Sequence, residues 1–155
     1  MSDITLHLNG TPHRIQVEPR RTLVDAIRED CGATGTHIGC EHGVCGACTV
    51  LLDGEPIRAC LMFAVQADNR HIRTVEGLAQ NGTLHRLQQA FIDHHALQCG
   101  FCTPGFLMLA VGLLEANPNI TDEALLDGLS SNLCRCTGYV NILRAVKAVT
   151  AELHA

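Results

Sequence analysis

Eight of the nine cysteines in this chain fall into two quartets, Cys40-x4-Cys45-x2-Cys48-x11-Cys60 and Cys99-x2-Cys102-x31-Cys134-x-Cys136. Each quartet supplies the four thiolates that one iron–sulfur cluster requires. The chain must therefore fold so that two separate sets of sulfurs converge, and this requirement constrains it more than any other feature. Cys31 stands outside both sets and reads as a small buried hydrophobe.

The first quartet has the plant-type [2Fe-2S] spacing, with three thiolates on one tight loop and the fourth from a following strand. A thiolate-held cluster is negatively charged and becomes more so on reduction, so its loop needs donors that do not titrate. Backbone N–H groups meet that need. Gly39, Gly43 and Gly46 are expected to permit positive φ and close approach, letting the loop curl with its amides toward the sulfurs. In the second quartet, Cys102 directly precedes Thr103-Pro104 and Cys134-Arg135-Cys136 precedes a helical pattern. Both pairs are expected at helix N-termini, where exposed amides favour thiolates.

Other chemistries leave residues over. Two C-x2-C pairs, Cys45/Cys48 and Cys99/Cys102, could form a zinc site, but Cys40, Cys60, Cys134 and Cys136 then have no role. A thioredoxin-like role for Cys99/Cys102 has the same defect. Cys40-Glu41-His42 offers half of a Rieske pattern without its C-x2-H partner. His42 reads as solvent-facing and His94-His95 as a polar helix end. A disulfide framework belongs to secreted chains, and Met1–Thr5 shows neither a basic nor an apolar run. Arg20-Arg21 is followed by Asp25, Arg28, Glu29 and Asp30 where a signal would need an apolar stretch. A reducing cytoplasm is the expected location.

The 155 residues, 46% hydrophobic, suffice for one or two small cores, each of a size that gains from a bound metal. A net charge of -5 and the absence of Trp argue against nucleic acid as a partner. No apolar run is long enough for a membrane span.

Ile4, Leu6 and Leu8 alternate with polar neighbours, Asn9-Gly10 supplies a turn, and Ile15 and Val17 resume the alternation, so a hairpin is expected. Thr22-x-x-Asp25 caps a helix bearing Leu23, Ala26 and Ile27, ended by Cys31-Gly32. Thr49–Leu52 and Ile57–Leu61 flank Asp53-Gly54 as a second hairpin. From Val75 onward the period becomes helical through Leu84, Leu87, Phe91 and Phe106–Leu114. Thr103 is read as a capping hydroxyl and Pro104 as a first-turn proline. Asp122–Leu129 and about Val140 to Leu153 complete a small helical bundle. Glu76-Gly77 and Asn81-Gly82 punctuate the junction, giving an α+β chain with units at 1–76 and 77–155.

Three motifs carry a family likeness: Gly39-Cys40-x2-Gly43-x-Cys45-Gly46-x-Cys48, Gln98–Gly105 and Asn132–Tyr139. They resemble the iron–sulfur subunit of the molybdenum hydroxylases, the xanthine dehydrogenase, aldehyde oxidoreductase and carbon monoxide dehydrogenase family. The resemblance implies a β-grasp, plant-ferredoxin-like domain holding a [2Fe-2S] cluster through Cys40, Cys45, Cys48 and Cys60. It implies a following four-helix-bundle domain holding a second through Cys99, Cys102, Cys134 and Cys136. Gln98 and Cys136 would lie near the molybdopterin of a large partner subunit. The implied function is a relay of single electrons from molybdopterin, through both clusters, to FAD on a medium subunit or to a cytochrome. A free two-cluster ferredoxin is the alternative.

Overall fold

The computed structural model describes residues 1–153; the last two residues of the expected 77–155 unit lie outside the described residues. Strands β1 (Ser2–Leu8) and β2 (Thr11–Val17) form the expected hairpin, with Ile4 opposite Ile15 and Leu8 opposite Thr11. Asn9 and Gly10 both take positive φ at its turn. Strands β3 (Thr49–Leu52) and β4 (Glu55–Arg58) form the second hairpin. A short strand β5 (His71–Arg73) pairs parallel to β1 and antiparallel to β3, giving the order β2-β1-β5-β3-β4.

The first helix, α1 (Leu23–Asp25), continues as a π turn over Ala26–Asp30. The Thr22 hydroxyl accepts from the Asp25 N–H at 3.2 Å, as its capping role requires. Leu23, Val24, Ala26 and Ile27 pack with Ile4, Leu6, Leu8, Val50, Leu52 and Ile72 into one core. Cys31 packs at its edge, half-buried, and burial pushes its thiol up to about 11. It packs as a small apolar side chain, though less buried than the sequence suggests.

Two sequence expectations shift here. The strand expected at Ile57–Leu61 runs instead over Glu55–Arg58, and Ala59–Leu61 coils into a 3-10 turn. Cys60 therefore sits on a turn, which the Ala59 N–H fastens to the Cys48 carbonyl at 3.3 Å. Pro56 is tolerated because β4 is an edge strand.

The second half contains α2 (Arg86–Asp93), α3 (Thr103–Ala116), α4 (Asp122–Leu129) and α5 (Val140–Leu153). Helix α3 is apolar nearly all round and buries Gly105 through Gly112 and Leu114, as expected of a central helix. It rests on β3 and β4 and also packs against α2 and α4, so Leu51 belongs to the helical core. A side chain at Gly112 would meet Leu51 and Pro56, so glycine sets this close approach. Among the described residues, no helix is long and apolar enough to cross a membrane.

Candidate metal centres

All nine cysteines are free thiols. Within the first quartet they come together in twos. The Cys45 N–H reaches the Cys40 sulfur at 3.4 Å, and the two thiols interact directly. Cys48 and Cys60, both buried, form the other contact. The second quartet repeats the arrangement: the Cys99 and Cys136 sulfurs lie 3.5 Å apart and exposed, while Cys102 interacts with buried Cys134. Among the described residues no three His, Cys, Asp or Glu side chains converge as one tetrahedral ion would require. Two thiols per iron is what a [2Fe-2S] cluster needs, so the donor set fits that group.

Backbone conformation builds the first cage. Gly43 and Gly46 take φ of 82° and 75°, as expected. Gly39 departs from expectation, since its φ is not positive; Glu41, at 57°, takes the left-handed turn instead. Gly39 is required for space, because an added Cβ would lie 2.9 Å from the Cys45 sulfur. The Ala47 N–H points at Cys45 Sγ at 3.5 Å. The Cys45 N–H, joined by those of His42 and Val44, holds the Cys40 thiol down to about 6, whereas burial pushes Cys48 up to about 12. His42 is exposed and its Nδ1 contacts the Cys40 carbonyl.

Helix ends and one hydroxyl build the second cage. Cys102 is the N-cap of α3, with Pro104 in the first turn. The Thr103 hydroxyl does not cap; it lies at the start of the helix, buried beside Cys102 and without a hydrogen-bond partner among the described residues. Cys134 and Cys136 precede α5 by a loop in which Gly138 and Tyr139 both have positive φ, so they are not at the helix N-terminus itself. That turn brings the Tyr139 hydroxyl back to accept from the Cys134 N–H at 3.1 Å. The Thr137 hydroxyl donates to Cys134 Sγ at 3.0 Å and its N–H does so at 3.4 Å. Burial opposes ionisation of Cys134, yet these donors together hold its thiol below the usual range. Burial drives Cys102 up to about 12, and the contact with Cys99 raises Cys136.

The two cages touch. The Leu133 N–H donates to the Cys45 carbonyl at 2.9 Å, and Asn132 Nδ2 donates to the Gly46 carbonyl at 3.3 Å. A side chain on Gly46 would run into Asn132, and one on Gly105 would meet the Gly46 backbone. His37 stacks on Phe101 at 4.8 Å, and the Arg58 guanidinium donates to the Ser131 carbonyl at 2.8 Å. Gln98 and Cys136 are both exposed. Sequence reasoning assigned no role to Thr137, Asn132 or Tyr139. Only Thr137 carried a local signal, a hydroxyl placed to turn back on a residue close before it.

Residues 6–79 match the family model for a 2Fe-2S iron-sulfur cluster binding domain, and residues 74–147 match that for a [2Fe-2S] binding domain. The small subunit of nicotine 6-hydroxylase from Paenarthrobacter nicotinovorans is 56% identical, over 93% of this chain and 87% of the relative. Caffeine dehydrogenase subunit gamma from Pseudomonas sp. (strain CBB1) is 53% identical, over 95% of this chain and 90% of the relative. A chain of quinoline 2-oxidoreductase from Pseudomonas putida 86 superposes with a TM-score of 0.93 at 50% identity, covering 99% of this chain and 96% of that one. Aldehyde oxidoreductase from Desulfovibrio desulfuricans ATCC 27774 superposes equally well at 43% identity, matching 99% of this chain but 17% of the longer one. Tandem [2Fe-2S] domains, matched end to end by small subunits of hydroxylases and dehydrogenases, make this chain a member of the electron-transferring iron–sulfur subunits of the molybdenum hydroxylase family.

Proposed function

We propose that Cys40, Cys45, Cys48 and Cys60 hold one [2Fe-2S] cluster in a β-grasp domain of residues 1–76. Cys99, Cys102, Cys134 and Cys136 hold the other in a four-helix-bundle domain of residues 77–155. The observation carrying this reading is the pairing of thiols, one pair per iron, in both quartets. The overlap of the two family matches at 74–79 supports the boundary. Each cluster, when bound, accepts and passes on one electron. The chain's own residues keep that charge tolerable: amides of Cys45 and Ala47 face the first set of sulfurs, and Thr137 and Phe101 face the second.

The second cage is the entry side. Cys99 and Cys136 are exposed, and the neighbouring Leu97, Phe101, Leu133, Tyr139 and Val140 present apolar surface. Such an array around a polar opening suits burial against a large molybdopterin-bearing subunit, with Gln98 and Cys136 facing the pterin. The first cage is the exit side, where Val44, Leu61 and Phe63 are exposed. We assign this face to a medium subunit carrying FAD; a cytochrome is the alternative acceptor. Relatives named as small and gamma subunits favour a fixed subunit over a free ferredoxin. Their names, with that of quinoline 2-oxidoreductase, support an N-heteroaromatic substrate on the large subunit. We assign the chain to the cytoplasm, since eight cysteines that must stay reduced until clusters are inserted suit a reducing compartment.

The native complex tests this reading. The chain is expected to co-purify with a large molybdopterin subunit and to contain about four irons and about four acid-labile sulfides. In Cys136→Ser one electron paramagnetic resonance signal disappears while the other persists. Gln98→Ala keeps both signals but slows electron uptake from the pterin. A holo-chain purified without a large partner, or zinc without sulfide, would defeat the proposal.

A further inference from the structure

We propose that Asn132 is a positioning residue for electron passage between the cages, holding closed the hydrogen bond from the Leu133 N–H to the Cys45 carbonyl. The proposal rests on the two-cluster reading above. Cys45 belongs to the first quartet, and Leu133 directly precedes Cys134 of the second. From the Cys45 sulfur a covalent path runs to that residue's own carbonyl, crosses one hydrogen bond of 2.9 Å, and continues through Leu133 to the Cys134 sulfur. No gap of empty space interrupts it. Electronic coupling decays less along covalent and hydrogen bonds than across van der Waals gaps, so the length of this single bond sets the coupling of the whole path.

Asn132 has the features of a clamp. It is 1% exposed, and its Nδ2 donates to the Gly46 carbonyl, the peptide next to the one Leu133 uses. Its own N–H is anchored on the Leu129 carbonyl at the end of α4. Its Oδ1 is buried with no partner among the described residues. An apolar side chain of similar shape would fill the space without stranding that oxygen, so packing alone does not account for an amide here. The Nδ2 bond is what remains to account for it. Glycine at 46 lets Asn132 approach, and Arg58 secures Ser131 from the other side. The other cross-connections are longer routes: His37 Nδ1 to the Phe101 carbonyl at 2.7 Å enters the first unit ahead of Ile38 and Gly39 and reaches Cys40 only by a backbone detour, and the bond from Arg58 to the Ser131 carbonyl at 2.8 Å adds the length of the arginine side chain.

The test uses the holo-chain in its native complex. One-electron reduction by the methyl viologen radical, generated by pulse radiolysis, starts equilibration between the clusters. Asn132→Leu removes the clamp while filling its volume; replacing Leu133 by its α-hydroxy acid removes the bridging N–H and keeps the side chain. Neither group donates to a cluster sulfur, so both resonance signals and both midpoint potentials are expected to stay unchanged. Inter-cluster equilibration is expected to slow severalfold in each variant. Equilibration at the wild-type rate in the α-hydroxy acid variant overturns the bridge. A wild-type rate in Asn132→Leu, or loss of a cluster there, overturns the role given to Asn132. Failure of the wild-type chain to show two signals would instead defeat the two-cluster reading.

Discussion

The two cages reach the same pairing of thiols by opposite means. In the first, three cysteines lie on one loop whose shape is set residue by residue, by positive φ at Glu41, Gly43 and Gly46 and by amides aimed at sulfur. In the second, two distant segments meet because α3, α4 and α5 pack around one core, and a side-chain hydroxyl joins the donors. The first is a local conformation and the second a product of tertiary packing. Their sensitivities should differ accordingly: backbone strain threatens one and cavities threaten the other.

The contact between the cages is where the distinction should break down. Gly46→Ala forces a side chain into a left-handed position, costing about 1–2 kcal/mol, and drives its Cβ into Asn132. Because Asn132 leads directly to Cys134, the expected outcome is diminished occupancy of both clusters, read from iron and sulfide content. Loss of the first cluster alone would mean that the cages are less tightly joined than Leu133 and Cys45 suggest. Leu125→Ala restores the distinction. Leu125 is fully buried in the helical core, so its truncation should cost about 2–5 kcal/mol. On heating, the second resonance signal should fade before the first; simultaneous loss would show one cooperative unit.

A finer difference concerns tuning. Among the described residues, the Thr137 hydroxyl is the side-chain oxygen that donates to a cluster-facing sulfur, whereas the first cage uses backbone amides. A donor to sulfur favours the more negative, reduced form. Thr137→Val should therefore lower the midpoint potential of the second cluster and leave the first unchanged, while Thr137→Ser should restore it. A redox titration followed by electron paramagnetic resonance separates the two, and equal shifts in both would remove the asymmetry.

The same contrast governs what could be read in the sequence. The hairpin Ile4–Val17 and the loop of Cys40, Cys45 and Cys48 were legible because alternation, Asn9-Gly10 and cysteine spacing act over a few residues. Strand β5 was not anticipated, since three residues are too short to establish a period and its pairing is made by β1 and β3 from afar. The shift of β4 has a similar origin: the chain at Ala59–Leu61 coils to bring Cys60 to Cys48, a demand that the alternating pattern around Ile57 does not express. For the second cage the spacing named all four cysteines but not their partners. Cys99 with Cys136 and Cys102 with Cys134 are brought together by segments flanking α3 and α5, which share one core without any pattern in the sequence that pairs them. Gly39 keeps the close approach expected of it but not the positive φ, because space and φ are separate reasons for glycine that sequence does not tell apart.

The smallest expected effect extends the comparison to pH. The helical unit has a titratable cap: His85 precedes α2, and its Nδ1 accepts from the Leu87 N–H at 3.2 Å. Burial, aided by Arg73 and Arg86 against the pull of Glu115, lowers the pKa of His85 below its ordinary 6.5. The folded state thus favours the neutral ring, the only form in which that nitrogen can accept. Its contribution is fully present above 6.5 and is lost as pH falls through the depressed value. Because α2 packs on α5, which follows Cys136 in the chain, this loosening should reach the second cage and spare the first. Protection of the α2 amides against hydrogen exchange, relative to their intrinsic exchange rate at each pH, should fall as pH drops below 6.5, and His85→Asn, which caps without titrating, should abolish that dependence. An unchanged pH profile in the variant would place the titration elsewhere and leave the helical unit no more acid-sensitive than the sheet.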